Sequence, residues 1–123
     1  MNKRILVIDD SGAIRKAIRR ILESLSYSVT EAEDGAQALQ ALSTSDPFDA
    51  VLCDIDMPVM DGLTFLTEVA SRPALMPPPI IMCTTHTSFD KIQSALTLGA
   101  SEYIMKPFDA TIIGSKLESV GVQ

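Results

Sequence analysis

Five short apolar runs alternate along this chain with five stretches of helical spacing, and that alternation restricts the fold more than any other feature. The runs are Ile5-Leu6-Val7-Ile8, a segment around Ser28 to Glu31, Ala50-Val51-Leu52-Cys53, Ile80-Ile81-Met82-Cys83 and Tyr103-Ile104-Met105. Continuous rather than alternating apolar runs suit a parallel sheet covered by helices on both faces. Between them, Ile14, Ala17, Ile18, Ile21, Leu22 and Leu25 follow one helical face, with Ser11 placed as its cap. Asp34-Gly35 opens a second helix with Ala38, Leu39, Ala41 and Leu42 turned inward, and Asp61 caps a third carrying Leu63, Leu66 and Val69. Ser88 or Asp90 starts a fourth with Ile92, Ala95 and Leu96, which Gly99 stops. Asp109 caps the last, with Ile112, Ile113, Leu117 and Val120 as its stripe. Asp46-Pro47 and Pro77-Pro78-Pro79 break the chain before strands, because proline supplies no backbone donor.

Right-handed crossovers turn this order into a doubly wound α/β sheet, whose ligands bind outside the carboxyl ends of the strands. Four of the five runs end near a polar residue: Asp9-Asp10, Asp54, Thr84 and Lys106; only the Val29 segment does not. Three carboxylates, a hydroxyl and an ammonium would then share one sheet edge. Packed carboxylates repel one another and call for a cation, and Mg²⁺ suits one or two carboxylates together with phosphate oxygens. A carboxylate can also attack phosphorus and form an acyl phosphate, a transfer catalysed mostly by positioning and charge neutralisation. Lys106 would neutralise a phosphoryl oxygen as a point charge, and Thr84 would donate a hydrogen bond to another.

Composition narrows the partners. At 123 residues, 46% apolar and 21% charged, the chain is the size and make-up of one ordinary domain. A net charge of −6 argues against sequence-independent nucleic-acid binding, which needs many cations against phosphates. Both cysteines lie inside apolar runs, as buried reduced thiols of a cytoplasmic protein would. Four apolar residues after Arg4 are too few for a signal-peptide core or a membrane span.

Four segments, in this order, carry a resemblance over essentially the whole length: Ile8-Asp9-Asp10-Ser11, Asp54-Ile55-Asp56-Met57-Pro58-Val59-Met60-Asp61-Gly62, Thr84, and Gly99 through Phe108. They resemble the receiver domains of two-component response regulators, most of all the stand-alone CheY-type regulators, and Cys83-Thr84-Thr85 is similar to alphaproteobacterial members. The resemblance implies a five-stranded (βα)5 flavodoxin-like sheet with strand order 2-1-3-4-5. It implies that Asp54 accepts a phosphoryl group from a phosphohistidine of a histidine kinase or histidine phosphotransfer protein. Asp9, Asp10 and Asp54 would hold Mg²⁺, or Mn²⁺ in its place, with the Asp56 backbone carbonyl as a further ligand. Lys106 would pair with Asp54 and then with the phosphoryl group, before a cis bond to Pro107. Thr84 would swing towards the phosphoryl group and Tyr103 turn inward, reshaping the face of the fourth helix, fifth strand and fifth helix for a downstream protein, such as a flagellar motor switch. The family catalyses its own phosphorylation and slow hydrolysis and is not a turnover enzyme. The expectation is one receiver domain over residues 1–123 with no output domain, a cytoplasmic monomer without nucleic-acid or membrane partners.

Two residues depart from the chemotaxis-type pattern. Asp56 stands two after the acceptor, where such relatives commonly carry Asn, and His86 stands two after Thr84. Both positions are expected to tune hydrolysis, His86 competing with a plain role as an exposed loop residue. A phosphate sink or relay shuttle would use the same site. A haloacid dehalogenase-type phosphatase is the alternative from another class, because Asp54-Ile55-Asp56, Thr84 and Lys106 imitate its first three motifs. There, however, the acidic metal pair follows the lysine, whereas Asp9-Asp10 comes first here. Arg15, Lys16, Arg19 and Arg20 give the first helix a basic outer face, read as solvated or as a docking surface for an acidic kinase or phosphotransfer domain. Cys53, Cys83, Met57, Met60, Met82 and Met105 are expected to serve packing.

Overall fold

Parallel strands cannot be joined by tight turns, so each crossover here carries a helix. The computed structural model describes residues 3–44, 47–55, 57, 59–84, 89–106 and 109–122. The strands are β1 (Arg4–Ile8), β2 (Ser28–Ala32), β3 (Ala50–Asp54), β4 (Ile80–Thr84) and β5 (Glu102–Met105). The helices are α1 (Gly12–Ser24), α2 (Gly35–Thr44), α3 (Gly62–Ala70), α4 (Phe89–Thr97) and α5 (Ala110–Ser119), with a short 3-10 turn at Pro73–Leu75. The sheet is parallel throughout in the order β2-β1-β3-β4-β5, as the resemblance implied. Ser11, Asp61 and Asp109 cap α1, α3 and α5, each side chain accepting a backbone N–H three residues on.

Alternate strand residues build two cores. Leu6, Ile8, Val51, Cys53 and Met82 face α2, α3 and α4, where Phe65 is fully buried. Val7, Leu52, Ile81 and Cys83 face the other way, against Ile18 and Leu22 of α1 and Ile113 and Leu117 of α5. Cys53 and Cys83 therefore sit on neighbouring strands but opposite faces, both free and buried.

Four expectations about packing fail, the first being Ala17, which is exposed beside the buried Ile18. Leu96 is 40% exposed, Ile112 41% and Met105 36%. Each helix instead buries its immediate neighbour, Ala95 or Ile113, and one residue of helix is a 100° rotation, enough to take a side chain off the covered face. Asp90 lies inside the first turn of α4 rather than at its cap. Among the described residues no helix is long and apolar enough to cross a membrane.

Candidate functional site

Register brings the polar residues into one row. Ile8 pairs with Cys53, Asp54 with Cys83 and Thr84 with Met105, so the residues at or just beyond those positions share the carboxyl edge of β1, β3, β4 and β5. The reversal of strand order lies between β1 and β3, where a doubly wound sheet opens its crevice.

Asp9 is only 2% exposed and fully committed: Oδ1 accepts the Ser11 N–H at 2.9 Å and Oδ2 accepts Lys106 Nζ at 2.8 Å. Asp54 keeps 13% of its side-chain surface, its Oδ1 accepts the Ile55 N–H at 2.9 Å, and Lys106 Nζ stands 3.5 Å away. Lys106 is thus nearer to Asp9 than to Asp54, the partner expected for it. The more deeply buried carboxylate has less water to share its charge with and takes the ammonium first. The Lys106 backbone N–H, donating to the Thr84 carbonyl at 2.8 Å, fixes where that side chain begins.

The charge balance follows this geometry. Burial pushes the Asp54 carboxyl above its ordinary range; Lys106 and the Ile55 N–H pull it back, and the Asp9 charge pushes it further up. Burial alone would lower Lys106, but the hydrogen bond to Asp9 and the charges of Asp54 and Asp9 outweigh it and hold the ammonium above its usual value. Asp10 is exposed. Carboxylate oxygens of Asp9, Asp10 and Asp54 all lie within 4.8 Å of one another. Such an all-oxygen donor set fits a hard divalent cation like Mg²⁺ rather than a thiophilic metal.

Around this cluster the packing is tight. The Gly62 N–H donates to the Ile55 carbonyl at 2.8 Å, and a Cβ at Gly62 would collide with the Asp54 carbonyl oxygen and come 2.7 Å from Met82 Cε. Thr84 is fully buried at the end of β4. Tyr103 is half-buried against the α3–α4 core, with Lys116 Nζ 5.4 Å from its ring centroid. Burial raises both thiols, Cys83 to about 12 and Cys53 well above its usual value, so neither is a nucleophile here. Asp56, His86 and Pro107 lie outside the described residues. An apolar groove of about 400 Å³ lined by Leu66, Pro77, Pro79 and Leu98 sits at the opposite, amino-terminal end of β4 and takes no part.

Glu31 was not singled out by sequence, and Arg15 was named only as part of a basic outer face. Glu31 on β2 accepts Arg15 Nε at 3.0 Å, Lys16 Nζ at 3.1 Å and Arg19 Nε at 2.7 Å. Arg15 also donates to the Asp9 carbonyl at 2.7 Å and is 14% exposed, so it leaves the solvated face on which Lys16, 62% exposed, and Arg20 remain. Burial would raise Glu31, but the hydrogen bonds from Arg19, Lys16 and Arg15 hold it down to about 2. The available signal was a lone glutamate in a strand that otherwise offers nothing to the site.

The response regulator receiver domain family matches residues 5–118. The chain superposes on the chemotaxis protein CheY4 of Vibrio cholerae with a TM-score of 0.89 and 33% identity, covering 98% of this chain and 99% of that one. The receiver domain of the sensor histidine kinase PA1611 from Pseudomonas aeruginosa, with magnesium coordinated in its active-site cleft, gives a TM-score of 0.88 at 29% identity, over 98% and 99% of the two chains. The DNA-binding transcriptional regulator NtrC of Escherichia coli is 39% identical over 105 residues, 85% of this chain but 22% of that longer protein. Members of the family catalyse their own phosphorylation rather than turning over a substrate. With its aspartate cluster poised for metal-assisted phosphotransfer, the chain belongs to the response regulator receiver domain family, the phosphorylation-driven, CheY-like domains of two-component signalling.

Proposed function

We propose that Asp54 is the phosphoacceptor and that Asp9, Asp10 and Asp54 hold the Mg²⁺ ion that transfer requires. The observation carrying this reading is the position of Asp54, at the end of β3, inside the carboxylate cluster and 3.5 Å from Lys106. Because Oδ1 is held by the Ile55 N–H, Oδ2 is the oxygen that attacks phosphorus. The bond from phosphorus to the donor imidazole nitrogen breaks as the bond to Oδ2 forms, and the imidazole keeps the electron pair. Bound Mg²⁺, with the Asp56 carbonyl as a further ligand, would neutralise the carboxylates and the charge of the transferring group. Lys106 leaves Asp9 to pair with the phosphoryl oxygens, and Thr84 donates to another.

Membership of the family implies a histidine kinase or histidine phosphotransfer protein as donor. The added charge reorients Thr84, Tyr103 follows inward, and a downstream protein reads the face of α4, β5 and α5 by population shift. In support, the exposed apolar side chains Leu96, Met105 and Ile112 fall one on each of those elements. Asp56 and His86 set the lifetime of the acyl phosphate. Incubation with a small-molecule phosphodonor and Mg²⁺ should phosphorylate the wild type and leave Asp54→Ala unmodified. Label on the Asp54→Ala chain would reassign the acceptor, and hydrolysis of a phosphomonoester with turnover would favour a phosphatase instead.

A further inference from the structure

β2 contributes no carboxylate to the Asp9, Asp10 and Asp54 cluster, yet it reaches that cluster through one side chain. Glu31 pairs in register with Val7, which places it on the α1 face of the sheet. There it holds Arg15 by Nε at 3.0 Å, while Arg15 Nη1 donates to the Asp9 carbonyl at 2.7 Å. Both side chains are withdrawn from water, 13% exposed for Glu31 and 14% for Arg15. The Asp9 N–H is tied to the Ala32 carbonyl at 3.2 Å and its carboxylate to Ser11 and Lys106, so Arg15 holds the remaining polar group of Asp9. That carbonyl belongs to the peptide unit joining Asp9 to Asp10. Asp10 is exposed, and this peptide unit carries its side chain into the carboxylate cluster.

We propose that Arg15, braced by Glu31, is a positioning residue for the metal-binding carboxylates: it locks the Asp9-Asp10 peptide unit and so aims Asp10 at the ion. The inference rests on the reading that Asp9, Asp10 and Asp54 hold Mg²⁺. Partners that orient a ligand from behind are worth about 10- to 100-fold in metal affinity. Here the geometry and the charge make opposite predictions. Arg15 is a cation close to a cation site, so if it acted only through charge, removing it would tighten binding. If it acts by positioning, removing it loosens binding.

Mg²⁺ titration calorimetry near neutral pH, with thermal unfolding of each variant alongside, separates the two. Arg15→Ala should weaken Mg²⁺ binding about tenfold while the chain remains folded. Arg15→Lys keeps the charge but cannot bridge Glu31 and the Asp9 carbonyl as a planar fork does, and it should fall between wild type and Arg15→Ala. This second variant also serves if Arg15→Ala fails to fold. Binding by both variants as tight as wild type, or tighter, overturns the inference and leaves the metal reading standing. A wild-type chain that binds no Mg²⁺ overturns the metal reading, and the inference with it.

Discussion

The two edges of the sheet carry ion pairs of opposite character. At the β2 edge, Glu31 gathers Arg15, Lys16 and Arg19 at 2.7–3.1 Å, and its own side chain is 13% exposed. At the β5 edge, Lys116 and Glu102 stand 3.3 Å apart, 33% and 28% exposed, and Lys116 lies 5.4 Å from the Tyr103 ring. The first network ends on the backbone of Asp9; the second ends on a half-buried tyrosine beside exposed apolar residues. One edge is built to hold the chemistry still. The other is the more solvated of the two and belongs to the face proposed above to report phosphorylation.

If that contrast is sound, the corresponding glutamates differ in what they contribute. Glu31→Ala leaves a largely buried Arg15 without its carboxylate and should cost about 2–3 kcal/mol in urea unfolding. Glu102→Ala removes a half-solvated pair and should cost less than about 1 kcal/mol. Equal costs would erase the distinction between the edges.

Acid sharpens the same comparison. The folded-state pKa of Glu31 is depressed to about 2, so the stability it contributes is complete above the ordinary carboxylate range and is lost as pH falls towards 2. The contribution is at most about 3 kcal/mol, because Lys16 at 62% exposure is well screened. Asp54 has the opposite sign. Its folded pKa is raised, the folded state binds the proton more tightly, and protonation favours folding as pH falls. Between about pH 5 and pH 2 the wild type should therefore lose stability more steeply than Glu31→Gln. Chemical unfolding at stepped pH gives both slopes, and parallel slopes would show that Glu31 is not the titrating group.

The strand-end cluster was legible in sequence because parallel register is enough to place it. Once Ile5–Ile8, Ala50–Cys53 and Ile80–Cys83 are adjacent parallel strands, Asp9, Asp54 and Thr84 have nowhere to go but one edge. The choice between Asp9 and Asp54 as the nearer partner of Lys106 was not legible, because it depends on which carboxylate is deeper. Spacing also assigns a helical residue to a face but does not say how far the covering layer extends, which is why Leu96 and Ile112 were misplaced while Ile113 and Leu117 were not. Phe65 was left out of the α3 stripe, and Arg15 was assigned to a basic outer face, for the converse reason. A phenylalanine outside the chosen stripe and an arginine on a basic helix look solvent-facing until a neighbouring strand closes over them.

The smallest effect concerns Lys116. Lys116→Met removes a half-solvated ion pair and a long cation–π contact, each worth about 1 kcal/mol or less, and keeps the apolar stem over the ring. Global stability should move by no more than about 1 kcal/mol. The Tyr103 ring, however, loses the cation that sits over it, so its aromatic resonances in NMR should shift and broaden as outward and inward positions exchange. A stability loss comparable to that of Glu31→Ala, with Tyr103 resonances unchanged, would make the β5 edge another rigid support. A small loss with a mobile Tyr103 is what a read-out edge requires, because a partner that prefers one ring position then shifts the equilibrium with little opposition from the fold.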